Sequence, residues 1–271
     1  MKTIAHISDL HFGTELPQLA AALREELHAM KPDLVVVSGD LTQRARRRQF
    51  SAARAYLDTL PQPQLVVPGN HDVPLYDVVR RFLSPLGRYR RIVAEDVDPL
   101  FDDGETFVAG LNTARSLTWQ SGRISVEQIA TLQSRLKNTS ARFKIVVTHH
   151  PFIPPPVESA QGARIDLVGR ATHALEVLDA GKVDLLLAGH LHHAYSGDTR
   201  TQYPAAHRAI VSAQAGTAIS HRVRNAQPNA YNRITLANET LTIEVRVWNE
   251  SRFAPATVAT YQRTSEGWFR H

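Results

Sequence analysis

Five short polar segments of this chain each follow a run of apolar, strand-forming residues, and each carries metal-binding chemistry. They are Asp9-Leu10-His11, Gly39-Asp40, Gly69-Asn70-His71-Asp72, His149-His150 and Gly189-His190-Leu191-His192. Two divalent cations that lie close together need oxygen and imidazole ligands from several segments, and one carboxylate that touches both ions. The set therefore predicts one two-metal hydrolytic site, with Asp40 as the bridging carboxylate.

The stretches between these segments alternate between strand and helix patterns. We predict strands over 4–8, 34–38, 65–67, 144–148 and 183–188, and helices over 16–30, 50–60, 125–137 and 171–180. Ser125 with Gln128 is typical of a capping box, and Gly181 is a typical helix end. This alternation predicts an α/β fold with a largely parallel core and flanking helices. In such sheets ligands collect at the carboxyl ends of strands, where all five segments lie.

From about Arg208 the pattern changes to strands joined by tight loops, over 209–213, 231–236, 241–248 and 257–262. This part is predicted to be antiparallel and to extend or cover a sheet edge. With 271 residues and 43% hydrophobic composition, the chain can bury a full core. We expect a single domain over 1–271, with a motif-bearing core at about 1–193 and a β-rich part at about 208–271. The stiff loop Ile153-Pro154-Pro155-Pro156 is expected to rim the pocket.

Composition narrows the functional classes. The absence of cysteine excludes disulfides, thiolate zinc sites and cysteine nucleophiles. A net charge of +5 suits an anionic substrate but is too small to favour a nucleic-acid polymer as partner. No segment approaches 18 consecutive apolar residues, and a cleaved signal peptide would remove the first motif. We therefore expect a soluble, cytoplasmic protein without a membrane partner; the pattern leaves homo-oligomerisation open.

Each segment taken alone is common turn or helix-cap chemistry, because aspartate, asparagine and glycine favour such positions. The occurrence of all five, in this order and each after an apolar strand, favours the metal site. The His190 and His192 side chains also point to one side at the two-residue period of an extended chain.

With these motifs the chain resembles the calcineurin-like metallophosphoesterase superfamily over about residues 3–193. Gly39-Asp40-Leu41-Thr42 and His149-His150-Pro151 are most similar to the bacterial class III cyclic nucleotide phosphodiesterases. The resemblance implies a four-layered α/β/β/α sandwich that hydrolyses small phosphodiesters by in-line attack of a hydroxide bridging two metal ions. Cyclic nucleotides are the favoured substrates, followed by glycerophosphodiesters. A nuclease acting on DNA or RNA, a phosphomonoesterase and a non-catalytic metal-binding interaction module remain as alternatives.

The resemblance also implies a division of the metal ligands. Asp9, His11 and His192 would hold the first ion, Asn70, His149 and His190 the second, and Asp40 both. Nitrogen and oxygen ligands without thiolate admit manganese, iron, zinc or cobalt. In the related purple acid phosphatases a tyrosine ligand lies three residues after the bridging aspartate. Gln43 occupies that position here, which argues against a ferric phenolate centre.

Three further residues receive roles from the same resemblance. His71 would be the general acid or a phosphate contact, and Asp72 would orient its imidazole. In protein serine/threonine phosphatases an arginine four residues after the bridging aspartate binds phosphate, and Arg44 occupies the same position here. The alternative interpretation is that Arg44 is a solvent-exposed residue at the start of a helix. His150 and His193 adjoin ligands but are expected to turn away as packing or rim residues.

Overall fold

The computed structural model describes residues 1–155, 167–204, 206–224 and 227–271. Its strands are β1 (Lys2–Ile7), β2 (Leu34–Ser38), β3 (Gln64–Val67), β4 (Leu100–Asp102), β5 (Thr106–Gly110), β6 (Phe143–Val147), β7 (Leu185–Ala188), β8 (Tyr195–Asp198), β9 (Val211–Gln214), β10 (Ala230–Ala237), β11 (Thr240–Trp248), β12 (Phe253–Thr264) and β13 (Gly267–Arg270). Its helices are α1 (Pro17–Met30), α2 (Arg47–Leu57), α3 (Val78–Leu83), α4 (Gly87–Ile92), α5 (Val126–Asn138) and α6 (Ala171–Ala180). None of the helices in these ranges has the length and hydrophobicity needed to cross a membrane.

The strands form two sheets. The first has the order β13-β12-β11-β10-β1-β2-β3, and the second has the order β4-β5-β6-β7-β9-β8. β1, β2 and β3 are parallel to one another, whereas β10 runs antiparallel to β1. The C-terminal strands therefore extend the first sheet past β1, as the sequence pattern predicts.

The buried side chains define four layers. β2 shows the arrangement most clearly, because successive side chains of a strand point to opposite faces. Val35 and Val37 pack in the cluster that contains α1 and α2, whereas Leu34 and Val36 pack against the second sheet. A third cluster joins the outer face of the second sheet to α5 and α6. The α/β/β/α sandwich implied by the family resemblance is confirmed.

Local hydrogen bonds explain where several helices begin and end. The Ser125 hydroxyl accepts from the Gln128 amide at 3.1 Å while the Gln128 side chain accepts from the Ser125 amide at 2.8 Å, so the predicted capping box is present. Gly181 caps the end of α6, also as predicted. Helix α2 begins at Arg47, three residues before the predicted start. The cause is Gln49, whose side-chain oxygen accepts from the amides of Arg44 and Arg46 and closes the first turn.

One strand prediction is wrong in its pairing. The run at 209–213 was expected in the antiparallel C-terminal part, but β9 lies parallel to β7 in the second sheet, with Val211 opposite Leu185. It pairs antiparallel only with β8, a short strand that the apolar pattern does not reveal. β5 also has no counterpart among the predicted strands. A short apolar strand carries no signal for a parallel partner contributed by a distant segment.

Candidate metal centre

The predicted ligands lie on loops that directly follow strands of both sheets. Asp9 and His11 follow β1, Asp40 follows β2, Asn70 follows β3, His149 follows β6, and His190 and His192 follow β7. Because β1 to β3 are parallel and β6 and β7 are parallel, these loops leave each sheet at one edge. The two edges meet, and the structure brings all seven side chains together.

Five of these ligands have a backbone conformation that side-chain-bearing residues rarely adopt. The φ angles are 53° at Asp9, 47° at His11, 53° at Asp40, 73° at His190 and 58° at His192. Such left-handed residues are uncommon outside glycine and concentrate at functional sites, where the surrounding structure holds them. Here the loops after β1 and β2 hold each other, since the Asp9 amide donates to the Gly39 carbonyl at 3.1 Å. The left-handed backbone therefore makes this loop cluster the candidate functional site.

Two motif glycines are required by close approach. A Cβ atom on Gly69 would lie 2.2 Å from Asp40 Oδ1, and one on Gly39 would lie 2.6 Å from His149 Nδ1. Gly39 also has a φ of 95°, which disfavours any other residue. These glycines allow the backbone of one loop to lie directly against a candidate ligand of another.

The first group of donor atoms comes from Asp9, His11 and His192. Asp9 Oδ1 lies 3.5 Å from Nε2 of each imidazole, and the rings stack with centroids 5.1 Å apart. Asp9 Oδ1 and both ring nitrogens of His11 are buried and have no hydrogen-bond partner among the described residues. Leaving buried polar atoms unpaired is costly, so this set fits a cation that would satisfy them.

The second group comes from Asn70, His149 and His190. Asn70 Oδ1 lies 3.1 Å from His149 Nε2 and 3.1 Å from His190 Nδ1. Asp40 stands between the two groups, because its Oδ2 is 3.4 Å from His149 Nε2 and 3.9 Å from His11 Nε2. This is the geometry expected of a carboxylate that serves two ions.

Hydrogen bonds on the far side of two imidazoles orient them toward the site. His149 Nδ1 donates to the Ser38 carbonyl at 2.7 Å, and His192 Nδ1 donates to the Arg222 carbonyl at 2.8 Å. With the proton fixed on Nδ1, Nε2 of each ring carries the free lone pair. Such outer partners set the tautomer and orientation of metal-binding histidines.

Electrostatics hold several of these donors in the states that bind metals, with His149 as the exception. Burial would lower the pKa of His149, but Asp40 and Asp9 raise it to about 9, so this ring has to lose a proton when it binds an ion. Burial lowers the pKa of His192 to about 4 and that of His190 well below its usual value, so both rings are neutral at pH 7. Burial alone would raise the pKa of Asp40, but the nearby imidazoles of His149 and His71 hold it well below its usual range. Ionised carboxylates and neutral imidazoles are the metal-binding forms, and the mixed oxygen and nitrogen set fits two divalent transition-metal ions.

This donor set predicts a metal-linked stability. Adding MnCl₂ to chelator-treated protein is expected to raise Tm, because the ligands converge only in the folded state. An ion at about 100 times its Kd adds about 2.7 kcal/mol to the free energy of unfolding. Differential scanning fluorimetry across a Mn²⁺ titration measures the shift, and Asp9→Ala should show a smaller one. A wild-type Tm that does not respond to Mn²⁺, Zn²⁺, Co²⁺ or Fe²⁺ would contradict the site.

His71 lies at the edge of the donor cluster. One of its ligand atoms lies within 4.8 Å of ligand atoms of His11 and Asp40, and its amide donates to Asp40 Oδ1 at 2.8 Å. Its Nδ1 donates to the Gln43 carbonyl at 3.0 Å, which fixes the ring. Arg44 also donates to this carbonyl, and its Nη1 lies 3.4 Å from His71 Nδ1. The structure thus places Arg44 at the site.

Asp72 does not orient the His71 imidazole as expected. Its buried carboxylate accepts from the amides of Leu41, Thr42 and Gly69 at 2.9–3.1 Å, and from the Thr42 hydroxyl at 3.0 Å. Both Asp72 oxygens therefore accept hydrogen bonds from the two loops. The His71 ring donates to the Gln43 carbonyl and not to Asp72. Asp72 therefore ties the loop after β2 to the loop after β3, and it acts on the site through the backbone.

The two histidines beside the ligands have other partners, although the centre of the His150 ring lies 4.5 Å from that of His190. His150 is buried; its Nδ1 lies 2.7 Å from the Thr113 hydroxyl, and its Nε2 donates to the Gln120 carbonyl at 2.6 Å. His193 is half-buried with its ring edge against Tyr195. Ile153 of the proline-rich loop is buried in the core of the second sheet instead of at a pocket rim, and Pro156 lies outside the described residues.

Comparison with known proteins finds a matching family model and related sequences. Residues 2–194 match the family model described as calcineurin-like phosphoesterase. The chain belongs to this family. A glycerophosphodiester phosphodiesterase GpdQ of Enterobacter lignolyticus is 28% identical over 169 residues, which cover 58% of this chain and 59% of that protein. A probable cyclic nucleotide phosphodiesterase of Synechococcus sp. is 26% identical over 209 residues, 71% of this chain and 74% of that one.

Solved structures of low sequence identity share the fold of this family member. The purple acid phosphatase PPD1 of yellow lupin superposes with a TM-score of 0.72 at 14% identity, over 97% of this chain and 54% of that one. PhoD superposes with a TM-score of 0.72 at 13% identity, over 99% of this chain and 71% of that one. The fold likeness therefore extends well beyond the residues that the family model matches.

A cavity of about 200 Å³ opens beside His71 and Asn70. It is lined by Gln43, Arg44, Asn70, His71, Val73, Leu75, Trp119, Gln120 and Arg222. Arg222 belongs to none of the five motifs, yet its Nη1 donates to Gln43 Oε1 at 3.0 Å and lies 3.3 Å from His71 Nδ1. It lies beyond the residues that match the family model and follows no motif spacing, so the sequence carries no signal for it.

Proposed function

We propose that this chain is a metal-dependent phosphodiesterase that acts on small diesters. The observation that carries the proposal is that the two groups of donor atoms share the Asp40 carboxylate. The His71 imidazole lies beside them and belongs to neither group. The relatives named as phosphodiesterases support the same chemistry. A nucleic-acid polymer is disfavoured because the chain is only mildly basic.

The residues divide the chemistry between them. When bound, two divalent ions would lower the pKa of a water molecule and polarise the phosphoryl oxygens. Asp9, His11 and His192 would hold one ion and Asn70, His149 and His190 the other, with Asp40 contacting both. The Gln43 carbonyl fixes Nδ1 of His71 and leaves Nε2 free. We assign the general-acid role to His71 in its imidazolium form, in which Nδ1 keeps its proton on the Gln43 carbonyl and Nε2 gives its proton to the leaving oxygen. Burial lowers the pKa of His71, and a bound anionic substrate would raise it again.

The cationic side of the cavity would bind the substrate's phosphoryl oxygens. Arg44 and Arg222 both reach Gln43 and His71, so two guanidinium groups flank the proposed acid. A diester carries one negative charge, and charge-assisted hydrogen bonds from either arginine would orient it. Cyclic nucleotides are our first choice of substrate and glycerophosphodiesters the second, and the names of the two relatives cover both classes.

A phosphomonoesterase is the second candidate function, and Arg222 is the observation that favours it. The sequence motifs offer Arg44 alone for phosphate binding, whereas the structure supplies two guanidinium groups. A monoester dianion gains more than a diester from a second cation, because more of its charge needs compensation. Hydrolysis of a monoester should therefore depend more strongly on Arg44 and Arg222 than hydrolysis of a diester.

Kinetics on a matched monoester and diester separate the two activities. In manganese-loaded wild type we expect a higher kcat/KM for bis-p-nitrophenyl phosphate than for p-nitrophenyl phosphate. Arg44→Ala and Arg222→Ala should each lower kcat/KM for the monoester by roughly tenfold or more, because one charged hydrogen bond to the substrate is lost. The fall in kcat/KM for the diester should be smaller. Arg224→Ala is the matched control, since this exposed arginine does not line the cavity. A wild-type preference for the monoester would identify a phosphatase instead.

A further inference from the structure

The cavity beside His71 has an apolar wall in addition to its cationic side. Val73, Leu75 and Trp119 line it together with the polar residues. Trp119 is 65% exposed, although large aromatic side chains are usually well covered in folded proteins. Its carbonyl accepts from Nδ2 of Asn70 at 3.4 Å, so its segment reaches a candidate metal ligand. The exposed indole therefore stands within the candidate active site.

A buried arginine holds this indole in place. Arg81 of α3 is only 4% exposed, and it forms no ion pair with any residue that the structure describes. Its guanidinium instead donates to the carbonyls of Pro74, Ser116 and Thr118, and its central carbon lies 5.6 Å from the centre of the Trp119 ring. Arg81 thus ties the segment at 116–118 to the loop before α3 and packs on one face of the indole.

An aromatic ring that is fixed from behind and open to a cavity is suited to stacking. The cation–π contact with Arg81 uses one ring face, and the exposed area leaves room for a planar group elsewhere on the indole. Because the segment is already tied down, binding a ligand there costs little further ordering of the protein. Stacking on an aromatic side chain tolerates different bases, since each of them offers a π-face.

We propose that Trp119 is a stacking subsite for a planar aromatic group esterified to the substrate's phosphate, a nucleobase or an aryl ring. This inference rests on the proposed phosphodiesterase function and narrows its substrate class. The phosphoryl group would lie at His71, Arg44 and Arg222, and the ring would lie against Trp119 and the neighbouring Leu75. The subsite favours ring-bearing diesters, such as cyclic nucleotides, over glycerophosphodiesters, which have no ring to stack.

The test compares three manganese-loaded substrates: cyclic AMP, bis-p-nitrophenyl phosphate and glycerophosphoethanolamine. Trp119→Ala should raise KM for the two ring-bearing diesters by about tenfold, as expected for one lost stacking contact, with kcat little changed. KM for glycerophosphoethanolamine should change less than about twofold in Trp119→Ala. Trp119→Phe should bring KM for the two ring-bearing diesters back close to the wild-type value. Leu117→Ala is the matched control, because Leu117 is 84% exposed on the same segment and does not line the cavity.

The outcomes separate the subsite from the proposed function. An equal loss on ring-bearing and ring-free diesters, or a loss of bound metal in Trp119→Ala, would show that the segment supports Asn70 and would overturn the subsite. If wild type cleaves none of the three diesters, the phosphodiesterase proposal fails. Titration with AMP then still decides the subsite, since binding should quench tryptophan fluorescence in wild type and not in Trp119→Phe. No difference between these two proteins would overturn it.

Discussion

Asp40→Ala is expected to abolish paired metal loading and to lower turnover by more than about 10³-fold, since losing one electrostatic group alone costs on the order of 10²–10³-fold. Asp40 Oδ2 is the carboxylate oxygen that approaches imidazoles of both donor groups. Without it, two cations would lie close together with no shared anion between them. Elemental analysis after dialysis should give two equivalents of metal in wild type and one or fewer in the variant.

The control for this variant lies beside a proposed ligand but outside both donor groups. His193→Ala removes a half-buried imidazole next to His192 and should keep both equivalents of metal and most activity. Circular dichroism of both variants checks that the fold is retained. If Asp40→Ala keeps two equivalents of metal, Asp40 is not the bridging ligand.

His71→Ala is expected to keep both metals and still lose turnover by roughly 10²–10⁴-fold, the range for a lost general acid. The loss should shrink for diesters with acidic phenolate leaving groups, because those leave without protonation. The measurement is kcat for a series of aryl phosphodiesters of graded leaving-group pKa, with metal content determined on the same samples. Equal losses across the series would leave His71 only a binding role, and loss of metal would make it a ligand.

The sequence allows the strands and the loops that follow them to be predicted because both are local features. The aliphatic run of β2 specifies a strand that is buried on both faces, and Asp40 follows it at the edge where ligands collect. The same logic places the ligands after β1, β3, β6 and β7. The strained backbone at these loops could not be anticipated, since it arises from contacts between loops, such as that of the Asp9 amide with the Gly39 carbonyl.

The rest of the site depends on contacts between distant parts of the chain. Arg222 reaches His71 across 151 positions, and no local pattern links the two. Trp119 lies on an irregular segment whose position is set by Arg81, 35 residues from the Ser116 carbonyl that it holds. Asp72 was expected to serve its neighbour His71, but the amides of the loop after β2 compete for the same oxygens and bind them. Spacing within a motif cannot rank such competing partners.

The position of β1 in the middle of the first sheet has a consequence for how the chain acquires its structure during synthesis. β1 is synthesised before the other strands described, yet one of its two neighbours is β10, with Lys2 opposite Leu236. Until that late segment emerges, β1 presents an open edge, which invites pairing with other chains. Because Asp9 and His11 directly follow β1, we expect the metal centre to be completed only after the segment that forms β10 has been made. Slow, late assembly of this kind is typical of folds whose contacts join distant parts of the sequence.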